Sequence, residues 1–125
     1  MTLLIVGFVV SLSVFVFSFA IAKASHNYTS RVKLAHDLKN SGWTLYVAMK
    51  NCVFCQVQRM LFGPGIFEML DVVDCDASDE MRERCKQHPV CSQGTPCWYN
   101  KDSKASLLGL QRDFQRLEQA VRDKK

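Results

Sequence analysis

Trp43-Thr44-Leu45-Tyr46-Val47-Ala48-Met49-Lys50-Asn51-Cys52-Val53-Phe54-Cys55 decides how this chain folds. Trp43 to Met49 is rich in aromatic and β-branched residues and short, which predicts a buried strand. Cys52 to Phe62 then reads as a helix, stopped by Gly63-Pro64-Gly65. The two cysteines therefore stand where a strand gives way to a helix. At that place the unpaired backbone N–H groups and the helix dipole favour an anion, which brings a cysteine pKa from about 8.5 into the range of roughly 3.5–7.5. Cys52 is expected to form the thiolate. Two intervening residues in the first turn bring the second sulfur within reach of a mixed disulfide, so Cys55 is expected to resolve what Cys52 captures. The same four residues also fit half of a zinc site or an inert structural disulfide. Zinc needs four ligands, usually with a second close pair, and Cys91 and Cys97 stand too far apart for one, so neither a metal nor another cofactor is expected.

Outward from this stretch the chain keeps alternating. On its N-terminal side, His26 to Ser41 reads as a polar linker leading into a helix with Val32, Leu34, Ala35 and Leu38 at helical spacing, stopped by Asn40-Ser41-Gly42. On its C-terminal side, Asp71 to Cys75 reads as a strand, and Ser78 caps a charged helix that runs to Gln87. Thr95 to Tyr99 and Ala105 to Leu110 read as two strands around a turn at Asn100-Lys101-Asp102, and Phe114, Leu117 and Val121 make the apolar stripe of a closing helix. Strand, helix, strand, helix, strand pair and helix imply an α/β fold, a mixed sheet with helices on its faces. His88, beside Pro89, reads as a solvated loop histidine, and the charges from Asp79 to Lys86 as a solvated helix face.

With 125 residues and 14.2 kDa the chain holds one ordinary domain, which excludes a two-domain enzyme. Leu3 to Ala22 carries no charge, and about 20 residues of helix span on the order of 30 Å, enough to cross a bilayer. The expectation is a transmembrane anchor over residues 1–22, a basic juxtamembrane linker and helix over 23–42, and the folded domain over 43–125. A cleaved signal peptide competes with the anchor, because Ala20, Ala22 and Ala24 permit processing, but the run has no basic residue before it and exceeds the usual apolar length. Of the net charge of +4, Lys23, Arg31, Lys33 and Lys39 against Asp37 supply most, so the domain itself is nearly neutral and nucleic acid is not an expected partner. The charges that follow the span put the domain on the cytoplasmic side, whereas six cysteines suit an oxidising one, so the side of the membrane stays open. The expected localisation is that of a single-pass membrane protein with the lipid bilayer as a partner.

The strand ending in Cys52-Val53-Phe54-Cys55, followed later by Gly94-Thr95-Pro96 before another strand, resembles the thioredoxin-like superfamily. The likeness extends to the thioredoxin-like domain joined to bacterial vitamin K epoxide reductase homologues. It covers roughly Gly42 to Val121 and includes Leu61-Phe62-Gly63, Val73-Asp74-Cys75, Cys85 and Thr95-Pro96 with Trp98. The resemblance implies catalytic roles for Cys52 and Cys55, a cis-proline at Pro96 that with Thr95 positions a substrate strand, and a second pair made of Cys75 and Cys85. That leaves Cys91 and Cys97 to pair as a further structural disulfide, unless one of them lies near Cys52 and relays electrons to it. The chain departs from the family at Val53, where proline is common, and with Phe54 it has no imidazole between the two sulfurs. Thiolate stabilisation is left to the helix terminus and Lys50.

Two functions follow. One is a membrane-anchored thiol–disulfide oxidoreductase that acts on a protein thiol or disulfide partner. The other is a structural protein that uses the same fold as a disulfide-braced membrane anchor among assembly neighbours, as in the membrane-associated layer of a virus particle.

Overall fold

A computed structural model describes residues 28–123. The chain divides into two compact units, residues 1–31 and 32–125. Residues 28–40 are helical (α1), and those up to 31 fall in the first unit. In the second unit follow β1 (Trp43–Val47), α2 (Val53–Phe62), β2 (Asp71–Asp74), α3 (Asp79–Lys86), β3 (Cys97–Asn100), β4 (Ser106–Leu108) and α4 (Gln115–Asp123).

The four strands form one sheet in the order β2-β1-β3-β4. β1 pairs parallel with β2, Leu45 opposite Val72, and antiparallel with β3, Leu45 opposite Trp98. β3 pairs antiparallel with β4, Trp98 opposite Leu107. A parallel pair needs a crossover, which α2 supplies, whereas the antiparallel β3–β4 pair needs only a turn. That turn is built by Asn100, fully buried, whose Oδ1 accepts the N–H groups of Asp102 and Ser103 and whose Nδ2 donates to the Ser41 carbonyl. This mixed four-stranded sheet flanked by helices resembles a thioredoxin-like topology.

The period-two alternation of β1 sends Trp43, Leu45 and Val47 into the core and leaves Thr44 and Tyr46 half-buried on the other face. The core adds Leu34, Ala35 and Leu38 from α1, Cys55 and Phe62 from α2, Trp98 from β3 and Leu117 from α4. Phe62 is its hub, with ring centroids 6.0 Å from Trp98 and 4.7 Å from Phe114. α2 ends at Gly63, whose φ of 93° would strain a residue with a Cβ and whose N–H donates to the Arg59 carbonyl. Ser78 caps α3 by accepting the Met81 N–H at 3.1 Å, with Asp79 and Glu80 in the first turn and Arg84 and Lys86 in the last, as the helix dipole favours.

The expectation of a transmembrane helix before the sheet is corrected. Among the described residues no helix is long and apolar enough to cross a membrane. α2 has 10 residues, about 15 Å of helix or half the hydrocarbon thickness, and α1 carries Arg31, Lys33, Asp37 and Lys39. Residues 1–22, on which that expectation rested, lie outside the described residues. The single-pass localisation, the lipid bilayer as a partner, and both functions framed around a membrane anchor, the oxidoreductase and the structural protein of a membrane-containing particle, fall with it.

Candidate functional site

The topology brings the site together. β1 and β2 run parallel and β3 antiparallel to them, so the ends of β1 and β2 and the start of β3 share one end of the sheet. Cys52 follows β1, Asp74 and Asp76 stand at the end of β2, and Thr95-Pro96 leads into β3.

Between β1 and α2 the chain makes a tight turn in which the Ala48 carbonyl accepts the N–H groups of Asn51 and Cys52. The turn is held from β2: Asp74 Oδ1 accepts the Met49 N–H at 3.2 Å and the Asp76 N–H at 3.0 Å, and Asp76 Oδ2 accepts the Lys50 N–H at 3.0 Å. Cys52 is the N-cap of α2. Its backbone is extended, and its sulfur accepts the Cys55 N–H at 3.1 Å, the place an N-cap serine or aspartate oxygen would take. Cys52 and Cys55 are disulfide-bonded, with Cα atoms 5.2 Å apart. Cys52 is half-buried, Cys55 is fully buried, and Val53 and Phe54 between them are exposed.

The Thr95–Pro96 peptide bond is cis. The Thr95 carbonyl oxygen lies 3.5 Å from the Cys52 sulfur, and the Pro96 carbonyl accepts the Gly109 N–H from the far side of β4. Two more disulfides flank this loop. Cys75, at the end of β2, is bonded to Cys85 on α3, and Cys91 is bonded to Cys97, the residue after Pro96. All six cysteines are thus paired, none of Cys75, Cys85, Cys91 and Cys97 to Cys52. Among the described residues no group of cysteine, histidine and carboxylate side chains is arranged to hold a metal ion.

His88 departs from the solvated loop residue expected of it. Its ring packs between Tyr46, at 4.7 Å, and Tyr99, at 4.6 Å, on the sheet face away from the core. Its Nδ1 accepts the N–H groups of Val90 at 3.1 Å and Cys91 at 2.9 Å. Burial lowers its pKa, and burial with the nearby Asp71 carboxylate raises that of Tyr46.

Asp74, Asp76 and Gln58 escaped the sequence reading. The first two carried a signal in Val73-Asp74-Cys75-Asp76, where carboxylates just past a strand can accept N–H groups from the neighbouring turn. Gln58 carried none, because a glutamine on a helix is ordinarily exposed. A concavity lined by Met49, Gln56, Arg59, Met60 and Pro64 lies alongside α2, and Met60 is among the most exposed apolar side chains. Another, of about 360 Å³ between α4 and the β3–β4 turn, contains no cysteine in its lining.

No protein-family model matches the chain, and no curated protein matches it as a relative.

Proposed function

We propose that this chain is a thiol–disulfide oxidoreductase acting on protein cysteines through Cys52 and Cys55. The observation that carries the reading is the half-buried Cys52 sulfur at the N-cap of α2, receiving the Cys55 N–H. Once the pair is reduced, that donor and the helix dipole favour the anion at Cys52, and the fully buried Cys55 is shielded from outside attack. Of the two sulfurs, the half-exposed one attacks.

In the reducing direction the Cys52 thiolate attacks one sulfur of a substrate disulfide, forming a mixed disulfide and expelling a substrate thiolate. Cys55 gives up its proton and attacks the Cys52 sulfur, which restores the Cys52–Cys55 bond and expels the second substrate thiolate. Two electrons have moved from the dithiol to the substrate, and the two expelled sulfurs take up the two protons that Cys52 and Cys55 lost. The oxidising direction is the same sequence reversed. Thr95 and Pro96 are the substrate-positioning residues, because their loop borders the attacking sulfur. Val53 and Phe54 add exposed apolar surface in the first turn after it, and Met60 is exposed about two turns further along α2, which suits a protein partner.

Cys75–Cys85 and Cys91–Cys97 act as structural bonds in this reading. In this reading residues 43–125 make up a thioredoxin-like domain, led by the basic segment 23–42, that resembles the domains joined to bacterial vitamin K epoxide reductase homologues. Leu61-Phe62-Gly63, Val73-Asp74-Cys75, Cys85, Thr95-Pro96 and Trp98 support that placement.

The test is alkylation after mild reduction, together with reduction of a disulfide-bonded test protein by dithiothreitol. Cys52 is expected to label ahead of Cys55, Cys52→Ser to return the rate to that of dithiothreitol alone, and Cys55→Ser to accumulate mixed disulfides. Equal and slow labelling of both sulfurs would sink the proposal.

A further inference from the structure

We infer that the Cys91–Cys97 disulfide and His88 are positioning residues of the Cys52 site: together they hold the Thr95 carbonyl against the Cys52 sulfur and so set how readily Cys52 ionises. The inference rests on reading Cys52 as the exchanging thiol and deepens that reading.

The segment between α3 and β3 has little to fix it from within. It contains one short 3-10 turn, Cys91–Gln93, and Ser92, Gln93 and Gly94 are exposed. It is pinned instead at two points. His88, lodged between Tyr46 of β1 and Tyr99 of β3, accepts the N–H groups of Val90 and Cys91 on one nitrogen, so the turn is referred to the face of the sheet. The disulfide then ties Cys91 to Cys97, with Cα atoms 5.5 Å apart, and Cys97 is itself fixed in the sheet opposite Tyr46. Thr95 and Pro96 lie inside the small ring this bond closes. The direction of the Thr95 carbonyl is therefore set by these ties to β1 and β3, together with the Pro96 carbonyl's bond to the Gly109 N–H past β4.

That carbonyl presents its negative end to Cys52 at 3.5 Å. In the reduced protein it accepts a hydrogen bond from the Cys52 thiol and repels the thiolate, in opposition to the Cys55 N–H, which favours the thiolate. A loop freed from either pin lets the carbonyl swing away and lets water reach the sulfur. Both changes favour the anion.

Burial separates the bonds in experiment. Cys91 and Cys97 are 3% and 0% exposed, whereas Cys52 is half-buried, so a mild dithiol opens Cys52–Cys55 first. The rate of Cys52 alkylation by iodoacetamide is then followed against pH by mass spectrometry, in the full chain and in two sets of variants. The first removes the bond, with Cys91→Ala and Cys97→Ala together. The second compares His88→Leu, which removes the acceptor, with His88→Asn, which keeps an acceptor oxygen near the place of Nδ1.

The midpoint of the pH profile is expected to fall in the double variant and in His88→Leu, with alkylation at neutral pH roughly threefold to tenfold faster, a shift of about half to one pH unit. His88→Asn is expected to keep the wild-type midpoint. Greater accessibility alone would raise the plateau and leave the midpoint in place, and that result overturns the inference. So does a midpoint that moves equally in His88→Leu and His88→Asn. If the double variant does not fold, the His88 pair decides the matter. The readout requires no turnover, so a wild-type midpoint in both variant sets alongside normal exchange activity defeats this inference alone, and loss of exchange activity with the shift intact defeats only the proposed function.

Discussion

Gln58 and the backbone of Gln111 exchange two hydrogen bonds in the protein interior: the Gln58 amide donates to the Gln111 carbonyl at 3.3 Å, and its oxygen accepts the Gln111 N–H at 2.8 Å. Gln58 is fully buried in the middle of α2, and Gln111 lies between β4 and α4. A side chain thus stands in for a strand partner and fastens the helix that carries Cys52 to the C-terminal half of the domain. Gln58→Leu keeps the volume but leaves a buried N–H and a buried carbonyl unpaired, at about 1–3 kcal/mol each. The urea unfolding midpoint of Gln58→Leu is expected to fall by the equivalent of about 2–6 kcal/mol with an unchanged slope. A loss within about 0.5 kcal/mol, typical of a surface change, would show that water replaces the pair.

Phe54, exposed in the first turn of α2, offers nothing that stabilises a neighbouring anion. An imidazolium in its place would. Phe54→His is expected to lower the Cys52 thiol pKa and make the pair more oxidising; for each unit of pKa change the reduction potential rises by about 30 mV. Equilibration against a glutathione buffer measures it. An unchanged potential would mean that the imidazole points to solvent and that the N-cap geometry alone governs Cys52.

Cys75–Cys85 joins the end of β2 to α3 across a sequence separation of 10. The chain-entropy model assigns a loop of this size about 2–3 kcal/mol. Cys75→Ala with Cys85→Ala is expected to lose about that much stability in urea. Its Cys52 alkylation profile is expected to stay where it is, because the link from Cys85 to the Thr95 loop runs through the Cys85 backbone carbonyl, which accepts the His88 N–H and is left in place by the substitutions. A shifted profile would mean that α3 positions the site as well.

The order of elements was legible because each is marked locally. Trp43 to Val47 alternates, Ser78 caps a charged helix, and Gly63 stops α2. The strand ends were less so: Ala105 to Leu110 shortens to Ser106–Leu108, because beyond Leu108 the register sets Gly109 opposite Pro96, whose carbonyl accepts the Gly109 N–H but which has no N–H to return, a pairing of residues 13 apart that no local pattern carries. Cys52-Val53-Phe54-Cys55 could be placed at a helix start from sequence, since helix polarity and cysteine spacing are local facts. What fixes its surroundings is not local. Asp74 and Asp76 reach across from β2, Gln58 finds Gln111 at the other end of the domain, and His88 is drawn in by rings that pairing of β1 with β3 sets side by side. The membrane span that hydropathy suggested over residues 1–22 lies outside the described residues, and among those no helix is long and apolar enough to cross a membrane.

His88 makes stability depend on pH in a direction that can be worked out. Nδ1 accepts two backbone N–H groups, which only the unprotonated nitrogen can do, and burial against Tyr46 and Tyr99 disfavours the charged ring. The charged and titratable groups acting at this face are Arg84 and Asp71, both felt by Tyr46, and the two tyrosines themselves. The folded pKa lies below the unfolded value of about 6.5, so the unfolded chain binds the proton more readily. The stabilisation is therefore complete above about pH 6.5 and is lost as the pH falls from there through the lowered folded value. Protonation would also turn Nδ1 from acceptor to donor and expel the Val90 and Cys91 N–H groups, releasing the turn before Thr95. The urea midpoint of the wild-type protein is expected to fall between pH 7.5 and pH 5. His88→Asn, which cannot titrate, should be flatter across the same interval. Equal slopes in the two proteins would assign the acid sensitivity to the carboxylates and leave His88 a packing residue only.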